Sequence, residues 1–285
     1  MISIPSLSFG SVTNAVVEIL RESEIHLPQD VVSALRAAAE KESNPTAKTQ
    51  LHSILKNIEI AAQKGIPICQ DTGIFIFFVE IGRGLCIDFD LEGAIRDGCA
   101  QATQKIPLRP NVVDPLSRHN TKNNLGDGLP EINYAFVPGK TLKITVAPKG
   151  AGSENMSTIR MFNPTEVSKI MEFVAKTVLD AGGKPCPPVV IGIGIGGSFN
   201  QCAKLAKEAL LFDIGKNPED ALSQMESEIL TAVNSLGIGC MGLGGDTTAL
   251  SVRIKKASCH TASLPVAINI QCWANRHATA FFEEE

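Results

Sequence analysis

The chain has 285 residues, 44% of them hydrophobic, and a formal net charge of −4, enough apolar content for one large packed domain or two smaller ones. It carries no block of Lys or Arg and only 5% aromatic residues, which argues against nucleic acid or an anionic membrane as the main partner. No apolar run approaches the length of a membrane span, and Met1-Ile2-Ser3-Ile4-Pro5 lacks the basic start and apolar core of a secretory leader, so a cytoplasmic location is expected.

Residues 6–64 read as helical. Ser11 is the expected cap of a first helix through Val17, Ile19 and Leu20. Pro28 opens a second, with Val31, Val32, Leu35 and Ala38 on one face, and Pro45 a third, with Leu51, Ile54, Leu55 and Ile58 in its stripe. Short connections make residues 1–65 an expected N-terminal helical subdomain, leaving 66–285 as one α/β body. His26 and His52 read as surface or cap residues.

The stretch Cys69-Gln70-Asp71-Thr72-Gly73 stands directly before the apolar run Ile74-Phe75-Ile76-Phe77-Phe78-Val79, which reads as a buried strand. A thiol, an amide and a carboxyl are thus placed at the mouth of a rigid element, where a site can be held still. Gly82-Arg83-Gly84 predicts a hairpin whose second strand returns over 85–89. A helix is expected over 91–104, carrying Cys99. Residues 105–130 then form a long polar segment with four prolines. A loop of that length in a packed domain is usually functional or disordered. Within it Arg109 stands between Pro107 and Pro110, which stiffens the chain that aims its guanidinium. Arg118, His119 and Lys122 are further candidate anion binders, or else solvated loop charge.

Strands are expected over 132–136 and 142–146. The small residues of Pro148-Lys149-Gly150-Ala151-Gly152-Ser153 would let a backbone approach a ligand closely, or simply form a loop. A helix over 166–181 should close at Gly182-Gly183. Cys186-Pro187-Pro188 leads into a strand from Val189, and a helix follows over 198–211. Gly192, Gly194 and Gly197 satisfy the spacing of a dinucleotide fingerprint. The acidic residue that should end a second strand about twenty residues on is missing, since Asp213 follows the helix directly. A helix over 217–236, a glycine-rich loop over 237–248, a strand over 250–255 and a buried strand over 266–270 complete the chain. Strands interleaved with helices indicate an α/β (α+β) fold with a mixed sheet.

The eight cysteines are Cys69, Cys86, Cys99, Cys186, Cys202, Cys240, Cys259 and Cys272. No C-x-x-C pair occurs, so zinc ribbons, dithiol redox chemistry and ferredoxin spacing are disfavoured. Burial as small apolar residues accounts for any one of them. Three share a context: Cys69 precedes a strand, Cys186 precedes another, and Cys272 follows a third. Three thiolates can hold three irons of a 4Fe-4S cube and leave the fourth open, as a Lewis-acid site requires. On composition alone, three buried thiols are the commoner explanation.

The motifs CQDTG at 69–73, PKGAGSENMS at 148–157, CPPVVIGIGIGG at 186–197, GIGCMGLGG at 237–245 and CHTASLPVAINIQCWANR at 259–276 carry a resemblance over nearly the whole chain. The sequence resembles the iron-sulfur hydro-lyases of the class I fumarate hydratase and L-tartrate dehydratase family, and within it the α subunit of the two-subunit form. The resemblance implies an iron-sulfur hydro-lyase α-type catalytic domain with a 4Fe-4S cluster on Cys69, Cys186 and Cys272. It implies substrate contacts from Gln70 and Gly152, a carboxylate paired with Arg109, and Asp71 with His260 at the leaving hydroxyl. Cys259 matches no ligand and is expected to be a core thiol. The implied reaction is reversible hydration of fumarate to L-malate, with L-tartrate dehydration as the alternative; GSENMS and GIGIGG are more similar to the fumarate hydratases.

This assignment fits the chemistry of hydroxy-dicarboxylates, because a planar guanidinium matches a carboxylate fork. No residue presents itself as the base that removes the carbon-bound proton. The family implies that a separate β subunit supplies it, in a homodimeric assembly of αβ units acting on a small dicarboxylate. Oxygen sensitivity is also implied. Two other classes compete: an NAD(P)-dependent dehydrogenase, resting on Gly192, Gly194 and Gly197, and a non-catalytic iron-sulfur electron carrier, resting on the cysteines.

Overall fold

The computed structural model describes all residues except 1, 5, 6, 216, 218, 284 and 285. Residues 6 and 218, both inside expected helical stretches, therefore lie outside the described residues. The chain forms two compact units, one from Met1–Pro28, Ile58–Gly150 and Arg276–Glu285, the other from Gln29–Asn57 and Ala151–Asn275. Residues 1–65, expected as one helical subdomain, are shared between them. No helix among the described residues is long and apolar enough to cross a membrane.

The first unit is built on a five-stranded mixed sheet. β1 (Ile2–Ile4) runs parallel to β9 (Ala278–Glu283), which is antiparallel to β4 (Thr141–Lys149). β4 is antiparallel to β2 (Ile74–Gly82), and β2 is parallel to β3 (Glu131–Val137). Phe75, Phe77 and Val79 of β2 alternate into a core shared with Leu142, Ile144 and Val146 of β4 and with two helices, as a strand with period-two side chains requires. Those helices are α1 (Phe9–Ile25) and α4 (Leu91–Lys105). They pack closely because Gly98 leaves room: a Cβ there would stand 2.6 Å from Val16 Cβ.

Two expectations change here. The cap of α1 is Ser8; Ser11 is the third helical residue and completes a capping box, donating its N–H to Ser8 Oγ at 3.2 Å and accepting the Ser8 N–H at 2.9 Å. The hairpin over 74–89 does not form, since residues 85–89 carry no strand. The neighbours of β2 are instead β4 and β3, from far along the chain. The 105–130 segment is irregular but pinned: Leu108 and Val112 are buried, and Asp114, Asn120 and Asn124 accept backbone N–H groups across it.

The second unit has a four-stranded mixed sheet in the order β5 (Thr158–Phe162), β8 (Leu264–Gln271), β6 (Val189–Ile195), β7 (Ala249–Lys256), with β6 and β7 parallel and the other pairs antiparallel. Ile191 and Ile193 face a core with α6 (Ile170–Ala181) and α8 (Asp220–Asn234). The expected 166–181 helix opens as a 3₁₀ turn over Pro164–Lys169 before α6 begins. On the opposite face lies α7 (Phe199–Ala209). A Cβ on Gly192 or Gly194 would stand 2.1 Å from the Ala206 or Cys202 carbonyl oxygen. These glycines lie inside β6, where they seat α7 flush on the strand. Gly192 and Gly194 thus have a packing role that needs no nucleotide, while Gly197 lies beyond β6 with φ +72°. α2 (Gln29–Lys41) belongs to this unit and packs on β7, and α3 (Pro45–Lys64) begins in it.

Candidate active site

The Cys69–Gly73 motif of the first unit is a turn held by its own polar groups. The Asp71 N–H donates to Cys69 Sγ at 3.4 Å, and the Gly73 N–H to Asp71 Oδ1 at 2.9 Å. Asn111 Nδ2 donates to the Gly73 carbonyl at 2.8 Å and lies 3.4 Å from Asp71 Oδ1. Gly73 has φ +71° and rests on the Lys149 backbone, and Gly150 leaves space beside the carboxyl, where a Cβ would stand 3.0 Å from Asp71 Oδ2. Thr72 Oγ1 accepts the Arg109 N–H at 3.0 Å and donates to the Arg109 carbonyl at 3.3 Å. The Arg109 main chain is therefore tied to the motif, while the residue itself is exposed. Gln70 is exposed; Cys69 and Asp71 are half-buried.

Beneath the turn sits a buried ion pair. Arg276 Nη1 lies 2.7 Å from Glu24 Oε2, and Arg276 Nη2 donates to the Asp71 carbonyl at 2.5 Å. The Glu24 carbonyl accepts the Ile68 N–H at 2.9 Å. Burial pushes the Glu24 carboxyl up to about 7, against the pull of Arg276 and with a smaller push from Asp71. Sequence reasoning named none of Glu24, Thr72, Asn111 and Arg276 as site residues. Thr72 and Arg276 stood inside quoted motifs; Glu24 carried no signal at all.

In the second unit Cys186 is exposed between buried prolines and holds φ +55°. For a residue with a Cβ that conformation costs about 1–2 kcal/mol, and such strain concentrates at functional sites. The turn is braced on two sides. Its N–H donates to Gly183 O at 3.1 Å, and its carbonyl accepts the Trp273 N–H at 3.3 Å, one residue beyond Cys272. The Met241 N–H of the glycine-rich loop donates to Pro187 O at 2.8 Å. Glu42 holds that loop in turn, accepting the Asp246 N–H at 2.9 Å and the Thr247 N–H at 3.2 Å.

Cys272 follows β8, as expected, and is half-buried. Gly152 lies on the short helix α5 (Ala151–Glu154), where a Cβ would stand 3.5 Å from Lys184 O, two residues before Cys186. Glu154 anchors α5 through an ion pair with Lys207 and by accepting Asn269 Nδ2 at 3.0 Å. His260 is exposed in the turn after β7. Its Nδ1 accepts the Ala262 N–H at 3.1 Å, so a neutral ring carries its proton on Nε2.

The cysteines fall into two populations, and among the described residues none is in a disulfide. Cys99, Cys202 and Cys240 are buried; burial raises all three thiols, the last two to about 11. Protonated thiols in apolar surroundings are poor metal ligands. Cys69, Cys186 and Cys272 are accessible or half-accessible at the ends of rigid elements, a donor set that suits a soft metal. Cys259 corrects an expectation. It is exposed, because the 257–263 turn leaves the sheet, and its Sγ donates to Ser263 O at 3.2 Å. Within each unit, the described residues hold no group of three His, Cys, Asp or Glu side chains arranged for a metal ion.

The first unit thus brings Cys69, Gln70, Asp71 and Arg109 together. The second brings Cys186, Cys272 and Gly152 to neighbouring backbone, with His260 in a turn of its own. A chain from Methanocaldococcus jannaschii named "Putative L(+)-tartrate dehydratase subunit alpha" is 49% identical over 273 residues, covering 94% of this chain and 96% of that one. The L(+)-tartrate dehydratase subunit alpha of Escherichia coli strain UTI89 is 31% identical over 273 residues, covering 95% of this chain and 90% of its own; that of strain K12 is 30% identical with the same coverage. The profile of the fumarate hydratase (Fumerase) family matches residues 13–281. With nearly its whole length inside that match, the chain belongs to the fumarate hydratase family.

Proposed function

We propose that this chain is the α subunit of a hydro-lyase that adds water to fumarate, and removes it from L-malate, on a 4Fe-4S cluster ligated by Cys69, Cys186 and Cys272. The observation that carries this reading is the Cys69–Gly73 turn. One short loop holds an accessible thiol, a carboxyl oriented by the Gly73 N–H and Asn111, and the main chain of Arg109. When bound, such a cluster supplies Lewis acidity toward a carbon-bound hydroxyl. The residues do the rest. Arg109 pairs with a substrate carboxylate and fixes its orientation. Gln70 and the backbone at Gly152 complete the substrate contacts. Asp71, with His260, serves as the acid at the leaving hydroxyl. The base for the carbon-bound proton comes from a separate β subunit.

A second reading, L(+)-tartrate as substrate, is favoured by the names of the relatives at 49% and 31% identity. The test is anaerobic purification with the partner subunit, reconstitution with iron and sulfide, and assay of fumarate, L-malate and both tartrate isomers. Turnover of fumarate and L-malate that is absent from the α chain alone is the expected result. Turnover of tartrate only would select the second reading. No turnover of any of the four, with cluster present, would overturn both.

A further inference from the structure

We propose that Glu24 and Arg276 are positioning residues that clamp both ends of the Ile68–Asp71 turn, and so hold Cys69 Sγ and the Asp71 carboxyl in register for the dehydration. The inference rests on the reading above for its catalytic part only. On the entry side the Glu24 carbonyl accepts the Ile68 N–H at 2.9 Å. On the exit side the Glu24 carboxylate holds Arg276 Nη1 at 2.7 Å, and Arg276 Nη2 reaches the Asp71 carbonyl at 2.5 Å. Only Cys69 and Gln70 lie between the two anchor points. One residue of α1 thereby sets where the turn begins and, through a guanidinium, where it ends.

Stability alone is a weak reason for such a pair. Glu24 is 0% and Arg276 3% exposed, and apolar residues of similar size often replace a buried ion pair without loss. Glu24 Oε1 and Arg276 Nε are moreover buried without a hydrogen-bond partner among the described residues, so the pair is not fully compensated. What it supplies is direction. A planar guanidinium addresses a carboxylate and a carbonyl at fixed angles at once, which an ammonium on a flexible stem does not.

The test uses the anaerobically reconstituted αβ assembly with Arg276→Lys, Arg276→Met and the double variant Glu24→Leu/Arg276→Met. Arg276→Met should lower Tm, because it strands a buried carboxylate, and the double variant should recover most of that loss. Its kcat should nevertheless stay about 100-fold below wild type, the scale of an ångström-sized misplacement, with KM nearly unchanged, as expected for a group acting on the transition state. Recovery of both Tm and kcat in the double variant would overturn the proposal. Should the double variant not fold, Arg276→Lys decides: a kcat about tenfold down supports the clamp, and a wild-type kcat overturns it. If the wild-type assembly turns over none of the substrates, the functional reading fails and the clamp is still measured. Iodoacetamide labelling of Cys69 in the cluster-free chain, read by peptide mass spectrometry against Cys86, should quicken about tenfold in Arg276→Lys. An unchanged ratio would overturn the clamp.

Discussion

Two glycines with similar φ and different surroundings allow the close packing of the site to be measured. Gly65 has φ +62° and nothing within 4 Å of an added Cβ; Gly73 has φ +71°, and an added Cβ would stand 2.7–2.8 Å from three backbone atoms of Lys149. Replacing either with Ala places a side chain in the left-handed region at about 1–2 kcal/mol. Either replacement also narrows the unfolded ensemble by a similar amount. The difference between Gly73→Ala and Gly65→Ala therefore isolates the steric term, about 1–3 kcal/mol for overpacking. Lys149 cannot retreat cheaply, since it is paired with Ile74 in the β2–β4 ladder. Urea unfolding of the cluster-free chain, followed by far-UV circular dichroism under reducing conditions, should show Gly73→Ala as the less stable variant by that margin. Equal midpoints and slopes would refute the close-approach argument. Catalysis should weaken along with stability, because the Gly73 N–H orients the Asp71 carboxyl.

Iron and sulfide analysis after reconstitution should show Cys69→Ser, Cys186→Ser and Cys272→Ser each losing most of the cluster, with Cys86→Ser matching wild type; full loading of any of the first three removes that residue from the ligand set. Asp71→Asn should lower kcat about 10²–10⁴-fold, the range for loss of a general acid, and a steady-state assay showing wild-type kcat would exclude it from the proton path. The Cys202 thiol is raised by burial from 9.0 to about 11. Its contribution to stability is therefore full below pH 9 and lost as pH rises towards 11, because the unfolded chain ionises first. Comparing urea midpoints at pH 8 and pH 10.5 should show a smaller alkaline loss in Cys202→Ala than in wild type.

The strands that were legible in the sequence are those buried on both faces. β2, β6 and β8 each present nearly unbroken apolar or glycine runs, and their burial follows directly. What local sequence could not supply was pairing. The Gly82-Arg83-Gly84 turn signal is sound, yet β2 takes partners from residues 131–149, and nothing near residue 85 reveals that competition. Cys69 and Cys272 were readable because a strand delivers each of them. Asn111 and Glu24 were not. Asn111 reaches the motif from 38 residues away, and Glu24 looks like an ordinary polar position on an amphipathic helix until Arg276, 252 residues later, closes on it. Cys259 was misjudged because matching no ligand says nothing of exposure, which the turn after β7 decides.

The place of β9 has a consequence for synthesis. This strand, Ala278–Glu283, lies between β1 and β4, so the five-stranded sheet cannot close until residues 278–283 have left the ribosome. Counting from the last residue of β4, at 149, to the last of β9, at 283, translation at ordinary speed leaves the flank of β4 uncovered for about 7 to 27 s. A nascent chain with a bare strand margin invites pairing with its neighbours on a polysome. Holdase chaperones that shield the emerging β2–β4 pair should govern how much of this protein reaches its native form in a cell.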